Sequence, residues 1–315
     1  MAARDPRSPS PDARPARPLA ARLVSTSWLA GHLDDPGLRL VDLRWGPRGA
    51  GRRAYRAEHI PGAIHLDWAR DLCDPGAPVR YLMLDPGATA RLFAASGISA
   101  TDHVVAYAEA GEGGPYRLWW TLGRLGHRRV SVLDGGITRW RAEGRPLTSE
   151  PARRRPARLP LRRPAVGLAG ADEVAGWPAS GVLDARPPEQ HAGRAIWTPR
   201  GSRPVDPSSG VGLHDGVPLR GGRIPGSLNV PADRLFGPDG RMLGCDRVRA
   251  LLRDRGVPTD RPIVAYCGVG IAASTLLFAL RRAGWRDLAL YDASWEEWGA
   301  DGRRPVEHDR DRRGA

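Results

Sequence analysis

Four segments of this chain occur twice in the same order, with the two copies about 160 residues apart in a sequence of 315. The repeated pairs are VDLR and LDAR (41–44 and 183–186), HIPGAIHLD and RIPGSLNVP (59–67 and 223–231), VVAY and IVAY (104–107 and 263–266), and GHRRVSVLDGGITRW and GWRDLALYDASWEEW (126–140 and 284–298). One copy is already as long as an ordinary domain, so the repeat indicates a duplicated domain and not a solenoid.

Within each copy, short apolar runs alternate with stretches of helical periodicity, which is the pattern of a parallel sheet covered by helices. The predicted fold class is therefore α/β, with two tandem domains, each a doubly wound, mostly parallel sheet flanked by helices. A Pro- and Arg-rich stretch separates the copies, and a Gly-, Pro- and Ser-rich insertion at 194–222 interrupts the second. The predicted division is a disordered leader (1–20), a first domain (21–147), a linker (148–167), a second domain (168–306) and a charged tail (307–315).

A formal net charge of +13 is typical of proteins that bind nucleic acid, but the composition and distribution of the basic residues argue against such a partner. All 48 basic residues are arginine, lysine is absent, and Ala, Gly and Pro are abundant, which indicates a general compositional bias. The arginines are also scattered along the chain, and diffuse positive charge gives only weak attraction to nucleic acid. We therefore predict no nucleic-acid partner, although a small anionic substrate would benefit from the same field.

Cysteine usage and hydropathy point to a cytoplasmic protein without a membrane partner. Cys73, Cys245 and Cys267 are too few and too widely spaced for a disulfide framework or a zinc site. No apolar run approaches the roughly 18 residues needed to cross a bilayer, and the N-terminus lacks the apolar core of a secretory signal. We predict no metal and no organic cofactor.

Cys267 is the one cysteine whose surroundings indicate chemistry. It follows the strand IVAY directly and opens the loop CGVGIAAS, which leads into an apolar helix. Gly268 and Gly270 permit a tight turn in which successive N–H groups form an anion-binding nest, and the helix adds its positive end. Such a loop is expected to lower the pKa of the thiol and to hold an anionic sulfur species. Cys73 and Cys245 are interpreted as inert buried cysteines.

These motifs together resemble those of the tandem-domain rhodanese family, which includes thiosulfate and 3-mercaptopyruvate sulfurtransferases. The resemblance covers about residues 20–306 and rests on HIPGA, RLWW, GH and LDGG in the first half, and on IPGS, CGVG and SWEEWG in the second. It implies that only the second domain is catalytic, and Ala108 indeed stands where the repeat would place a cysteine. It also implies a site in the cleft between the domains. There Cys267 would take sulfur from a small anionic donor, hold it as a persulfide and pass it to cyanide or a thiol.

The residues after Cys267 leave the donor open. The basic residues typical of thiosulfate-type members are absent, while Val269 and Ala272 replace hydroxyl residues of the mercaptopyruvate type. Gln190 stands where the family often has a substrate-binding arginine, so Arg194, Arg200, Arg203 and Arg223 are candidate replacements. The predicted substrate-binding residues are Gly268, Val269, Gly270, Ile271, Ala272 and Arg186, although Arg186 has an alternative, purely structural role in its Asp-x-Arg motif.

Two rival functions were weighed against the sulfurtransferase. A phosphatase of the same fold needs an arginine in the cysteine loop to clamp the phosphoryl oxygens, and residues 268–274 contain none. A degenerate, non-catalytic binding or regulatory module remains the alternative, since several family residues are replaced. His59, Trp119, Trp120, Trp140 and Trp298 are interpreted as structural, and Trp295 as a candidate for lining the pocket.

Overall fold

The computed structural model describes residues 18–309, so most of the predicted leader and the end of the predicted tail lie outside the described residues. The first domain contains five strands and five helices. The strands are β1 (Arg22–Val24), β2 (Leu38–Asp42), β3 (Ala63–His65), β4 (His103–Tyr107) and β5 (Val130–Leu133). The helices are α1 (Thr26–Ala30), α2 (Ala50–Ala57), α3 (Pro86–Ala95), α4 (Gly114–Arg124) and α5 (Gly136–Ala142).

The second domain adds helices α6–α10 and strands β6–β14, of which β8–β11 form its insertion. The helices are α6 (Ala171–Ala175), α7 (Pro188–His191), α8 (Cys245–Asp254), α9 (Ile271–Ala283) and α10 (Ser294–Trp298). The strands are β6 (Gly167–Leu168), β7 (Val182–Asp184), β8 (Ala195–Thr198), β9 (Gly201–Pro204), β10 (Val211–His214), β11 (Val217–Arg220), β12 (Leu228–Asn229), β13 (Ile263–Tyr266) and β14 (Leu288–Leu290).

Both domains are built on a five-stranded sheet with the same connectivity. The order is β1-β5-β4-β2-β3 in the first sheet and β12-β7-β13-β14-β6 in the second, which is the same order read from the other edge. All strand pairs within these two sheets are parallel. The apolar runs VVAY and IVAY form the central strands and are buried throughout, as expected when both faces of a parallel sheet are covered. The predicted fold class is confirmed.

The repeat extends to side-chain contacts at the ends of the strands. Arg44 binds the carboxylate of Asp42 with Nη2 at 2.6 Å from Oδ2, and Arg186 binds Asp184 with the same distance. In each domain the tyrosine that ends the central strand accepts a hydrogen bond from the backbone of the Ile-Pro-Gly turn. The two copies therefore share not only their topology but also the contacts that fix the loops at the carboxyl edge of the sheet.

The insertion is the part of the second domain that the sequence described least well. Its Gly-, Pro- and Ser-rich composition predicted no strands, but it forms two antiparallel hairpins, β8–β9 and β10–β11. Ile196, Val205 and Leu219 form a small buried cluster between the hairpins. Three apolar residues spread over 24 positions give no periodic signal, which explains why the sequence pattern did not indicate strands.

The two domains share one continuous hydrophobic core, in which α4 of the first domain packs against α9 of the second. Trp119 and Phe278 meet edge to face with ring centroids 5.1 Å apart, and Tyr116 contacts the same Phe278 ring at 5.0 Å. Residues 151–164 cross between the domains without regular secondary structure. Among residues 18–309, none of the helices combines the length and apolar character required of a membrane span.

Candidate active site

Cys267 lies at the carboxyl end of β13, the central strand, where ligands bind in open α/β sheets. Its side chain is 2% exposed. The backbone on either side is anchored to the turn before α10. The N–H of Cys267 donates to Ser294 Oγ at 3.1 Å, and its carbonyl accepts from the N–H of Trp295 at 3.0 Å. Ser294 holds this position with a left-handed backbone (φ 54°), so the cysteine loop rests on a constrained support.

Both glycines of the loop are required by close neighbours. Gly270 has φ 80°, and a Cβ there would lie 2.6 Å from Asp292 Oδ1 and 2.9 Å from Arg117 Nη1. A Cβ on Gly268 would lie 3.0 Å from the Cβ of Trp197. The loop can therefore turn into α9 only because neither residue carries a side chain.

Two opposing effects act on the pKa of the Cys267 thiol. Burial raises the pKa of Cys267, whereas the backbone N–H groups of Ala273, Val269 and Ala272 lower it by stabilising the thiolate. Burial is the larger effect, and the net pKa is raised above the ordinary value. The expectation of a lowered pKa was therefore wrong in sign, because burial of the sulfur outweighs the N–H groups. The N–H groups do face the sulfur, as the glycine pattern predicted.

Cys267 opens into a cavity of about 280 Å³ between the two domains. The second domain contributes Arg186, Pro187, Gln190, Trp197, Ala232, Asp233, Phe236, Cys267, Gly268, Val269, Ile271, Ala272 and Thr275, and the first contributes Trp45, Trp68, Gly111, Glu112 and Gly113. A larger cavity of about 470 Å³ also lies between the domains, but it is lined by no cysteine among the described residues. The smaller cavity alone combines a nucleophile, a cation and space for a substrate, and it is the candidate active site.

Arg186 supplies the cation of the cavity and also has the structural role considered above. Its Nε and Nη2 bind Asp184, Nη2 also donates to the carbonyl of Gly222, and the guanidinium lies 4.3 Å from the ring centre of Trp295. Nη1 is buried and has no hydrogen-bond partner within residues 18–309. A guanidinium fixed on one side with a free N–H on the other is suited to bind an anion in the cavity.

Two further polar side chains line the cavity with an unsatisfied oxygen. Gln190 is 1% exposed and donates to Ser202 Oγ at 2.8 Å, while its Oε1 has no partner in the described part of the chain. Glu112, from the first domain, likewise has a buried Oε2 with no described partner. Burial, followed by the charge of Glu109, raises the pKa of Glu112 to about 7. Unsatisfied buried oxygens are rare in proteins and mark positions where a ligand or water completes the hydrogen bonding.

Comparison with known proteins is consistent with this geometry. The Rhodanese-like domain family matches residues 25–143 and again residues 170–301. The chain is 35% identical over 300 residues to a probable 3-mercaptopyruvate sulfurtransferase from Pseudomonas aeruginosa, covering 91% of this chain and 98% of that protein. It is 32% identical over 292 residues to the thiosulfate sulfurtransferase of Cricetulus griseus, covering 89% and 92%.

The chain belongs to the rhodanese family. It is a sulfurtransferase of the rhodanese type, as the resemblance implied. Among solved structures, that of SseA from Escherichia coli, described as a 3-mercaptopyruvate sulfotransferase, superposes with a TM-score of 0.70 at 27% identity, covering 87% of this chain and 98% of the other. The duplicated fold and the family are thus established.

In this rhodanese the insertion covers the cysteine loop. Trp197 of β8 lies against Gly268 and meets the ring of His214 at a right angle, with centroids 5.2 Å apart. His214 is completely buried, and its Nδ1 lies 2.9 Å from Glu296 Oε2. Arg80 of the first domain donates to Glu296 Oε1 at 2.5 Å. The insertion is therefore tied to the SWEEWG segment and to the first domain, and it forms one wall of the site.

Four arginines were candidates to replace the substrate-binding arginine that the family often has at the position of Gln190, but they lie outside the cavity. Arg223 is buried but binds Glu307 and Asp309, and Arg194 is exposed and lies 3.8 Å from Asp309. Arg200 and Arg203 are exposed on the first hairpin, β8–β9, and none of the four lines the cavity. Trp295 does not line it either, because it lies beneath Arg186. These expectations were wrong. The arginines were candidates because they lie in or beside the insertion in sequence, and Trp295 because its segment was expected near the carboxyl edge of the sheet.

The residues interpreted as structural are buried. His59 is fully buried, and its ring nitrogens lie 2.7 and 3.0 Å from the carbonyls of Tyr55 and Glu150. Trp119, Trp120, Trp140 and Trp298 are each at most 1% exposed. Burial raises the pKa of Cys73 to about 12, in keeping with an inert thiol. Within the described ranges, no group of three or more His, Cys, Asp and Glu side chains is placed to hold a metal ion.

The sequence reasoning missed several residues of the site. They are Trp45, Trp68 and Glu112 in the first domain, and Trp197, Asp233, Phe236 and Thr275 in the second. The only available signal was positional: Glu112 belongs to the loop that follows VVAY, which corresponds in the repeat to the cysteine loop. The others come from the insertion or from helices and turns whose proximity depends on how the two domains pack.

Proposed function

We propose that the chain moves a sulfur atom from thiosulfate or 3-mercaptopyruvate to cyanide or a thiol, through a persulfide on Cys267. The observation that carries this proposal is that Cys267 opens into an interdomain cavity with three backbone N–H groups directed at its sulfur. The names of the relatives at 32% and 35% identity support the choice of donors.

In the first half-reaction, the thiolate of Cys267 attacks the transferable sulfur of the donor. With thiosulfate, the S–S bond of the donor breaks and sulfite leaves. With 3-mercaptopyruvate, the C–S bond breaks and the carbon fragment leaves as an enolate. The outer sulfur remains on Cys267 as a persulfide, whose negative charge the N–H groups of Val269, Ala272 and Ala273 stabilise. The remaining predicted residues, Gly268, Gly270 and Ile271, shape the loop.

In the second half-reaction, the acceptor attacks the outer sulfur of the persulfide. The S–S bond breaks and Cys267 leaves as a thiolate, for which the same N–H groups provide stabilisation. Cyanide then departs as thiocyanate, and a thiol departs as its own persulfide. Because the cysteine loop serves both half-reactions, no metal or organic cofactor is part of the proposal.

The proposed anion subsite is the unpaired Nη1 of Arg186. Either donor carries a sulfonate or carboxylate that can accept its hydrogen bond, while the transferable sulfur reaches Cys267 in the same cavity. The rings of Trp45, Trp68, Trp197 and Phe236 surround the remaining space and limit the access of water.

Intact-mass spectrometry tests the proposal directly. The reduced protein is incubated with thiosulfate or with 3-mercaptopyruvate, beside the variants Cys267→Ser and Cys245→Ser. The expected result is a gain of one sulfur atom in the wild type and in Cys245→Ser, reversed by cyanide and absent from Cys267→Ser. If neither donor adds sulfur to the folded wild type, these donor assignments fail and a non-catalytic binding module becomes the better account.

A further inference from the structure

Glu112 is a half-buried residue of the active-site cavity, and the reaction described so far has no use for its carboxyl group. It lines the same cavity as Cys267, although the two residues belong to different domains. Its Oε2 is buried without a hydrogen-bond partner in residues 18–309. A buried carboxyl oxygen without a described partner, in the same cavity as a nucleophile, is a candidate to act on the substrate.

The loop that carries Glu112 is held against the helix that follows Cys267. It is the first domain's counterpart of the cysteine loop, with Ala108 at the position of the nucleophile. Gly113 packs so closely that a Cβ there would lie 2.5 Å from Cγ2 of Ile271, the first residue of α9, and 3.4 Å from Oγ1 of Thr275. The copy that lacks a nucleophile thus presents a carboxyl group to the copy that has one.

The surroundings of Glu112 raise the pKa of its carboxyl group above that of an exposed glutamate. Burial is the largest cause, the charges of Glu109 and Asp42 act in the same direction, and the N–H of Trp45 opposes them, so that the pKa is about 7. Near neutral pH the group is therefore divided between its acid and its carboxylate, which is the condition for efficient proton transfer.

Charged groups also face Glu112 across the cavity. Arg186 would favour the carboxylate, but its guanidinium is already paired with Asp184. Asp233 and a thiolate at Cys267 would both favour the acid. A substrate anion that binds Arg186 adds a further negative charge to the cavity, so binding also favours the protonated carboxyl group.

The two donor classes differ in their need for a proton. Thiosulfate releases sulfite, which is stable as an anion and requires no proton to leave. A mercapto acid with an adjacent carbonyl releases an enolate, which becomes the final 2-oxo acid only after a proton is added at carbon. An acid in the cavity therefore assists one class of donor and not the other.

We propose that Glu112 is the proton donor for the carbon leaving group of a mercapto 2-oxo acid, and that it makes such acids the preferred donors of this enzyme. This inference rests on the proposed persulfide chemistry at Cys267. The thiolate of Cys267 forms the S–S bond, the C–S bond breaks, and its electron pair passes into the developing enolate. The carboxyl proton of Glu112 is transferred to the carbon as the C–S bond breaks, so that proton transfer and sulfur loading share one transition state. The hydrogen of the mercapto group stays on the persulfide, and water later reprotonates Glu112.

The test compares single-turnover sulfur loading from 3-mercaptopyruvate and from thiosulfate, measured by rapid quench and intact mass. The variants are Glu112→Gln and Asp233→Asn, which each remove one carboxylate from the cavity. Glu112→Gln is expected to lower the ratio of mercaptopyruvate to thiosulfate loading by about 100-fold, the scale of general acid catalysis. Asp233→Asn removes a charge that favours the acid form without removing the donor, so it is expected to move the fall of that ratio to lower pH and to leave the ratio at low pH within about twofold of the wild type.

The pH profile provides a second measurement. In the wild type the loading ratio should fall as the pH rises through about 7, since the acid form of Glu112 is lost. In Glu112→Gln this fall should be absent, while any ionisation of the donor itself affects both proteins alike. Thiosulfate loading by the variant shows that it is folded. Equal slowing with both donors, or an unchanged ratio, would overturn the role of Glu112, whereas failure of the wild type to load either donor would refute the proposed function itself.

Discussion

The guanidinium of Arg117, in α4 of the first domain, forms a buried ion pair with the carboxylate of Asp292, which follows β14 in the second. Arg117 also donates to the carbonyl of Tyr81 at 3.2 Å, and Asp292 accepts from the N–H of Met83 at 2.9 Å. Both charged groups approach Gly270 of the cysteine loop. The contact that joins the domains therefore also supports the loop that holds the nucleophile.

Replacing Arg117 by Met should lower the free energy of unfolding by about 3–5 kcal/mol, because Asp292 would remain buried without its partner. The double variant Arg117→Met/Asp292→Leu should recover most of this loss, since it removes both charges. Urea unfolding of the three proteins measures the effect. Arg141→Met is the control, because Arg141 is about 40% exposed and its pairs with Glu58 and Glu109 lie at the surface. Equal losses for Arg117→Met and Arg141→Met would contradict this account.

Gly270→Ala should lower both stability and sulfur loading. The new Cβ would meet Asp292 and Arg117 at less than 3 Å in a left-handed backbone conformation, so the loop must move. We expect a loss of about 2–4 kcal/mol and at least a tenfold slower loading. Gly284, which follows α9, also has a positive φ (115°), but a Cβ there would have no neighbour within 4 Å. Gly284→Ala is therefore the control. It should lose only about 1 kcal/mol and should load normally.

The alkylation rate of Cys267 should keep rising with pH beyond the range of an ordinary cysteine. Burial raises the pKa of the thiol, so the reactive thiolate becomes the main form only at higher pH. Iodoacetamide labelling followed by peptide mass spectrometry at several pH values measures this directly. Cys73, whose pKa is about 12, serves as the internal reference and should react more slowly throughout. A plateau for Cys267 near neutral pH would show that the backbone N–H groups outweigh burial.

Trp197→Ala should impair turnover with both donors while leaving the fold intact. The indole covers Gly268 and packs against His214, so its removal opens the wall of the cavity to water. We expect kcat/KM to fall by about tenfold for each donor, which corresponds to about 1.4 kcal/mol of binding or transition-state stabilisation. Trp28→Ala, a substitution in the first domain away from the cavity, is the matched control. Unchanged kcat/KM in Trp197→Ala would mean that the insertion does not bound the substrate.

Glu109→Gln should move the pH dependence of the loading ratio to lower pH. The charge of Glu109 helps to raise the pKa of Glu112, so its removal should lower that pKa while the proton donor remains in place. The ratio of mercaptopyruvate to thiosulfate loading, followed from pH 5 to pH 9, should therefore begin to fall earlier than in the wild type. A shift to higher pH would contradict the electrostatic explanation.

The parts of the site that could be predicted are those encoded by contiguous residues. A strand, a cysteine and two glycines followed by a helix determine where Cys267 lies and which way its loop turns, without reference to the rest of the chain. The repeat then identified Ala108 as the silent counterpart. For the same reason the Asp184–Arg186 pair was foreseeable, because its two residues share one strand end.

What could not be predicted depends on contacts between distant segments. Glu112 and Trp197 acquire their places only through the packing of the two domains and the folding of the insertion. The sign of the pKa shift at Cys267 depends on how deeply the folded protein buries the sulfur, a quantity that no local sequence pattern carries. Arg223 was misplaced as a substrate ligand because its partners, Glu307 and Asp309, are more than 80 residues away.

The contact between Trp119 and Phe278 has a consequence for how such chains can be recombined. Each half exposes, when alone, an apolar helix face that only the other half covers, so splitting the gene at the linker would yield two fragments prone to aggregation. Exchanging one half with that of a relative would succeed only where α4 and α9 have been inherited as a matched pair. The copy without a nucleophile is thereby inseparable from the copy that has one.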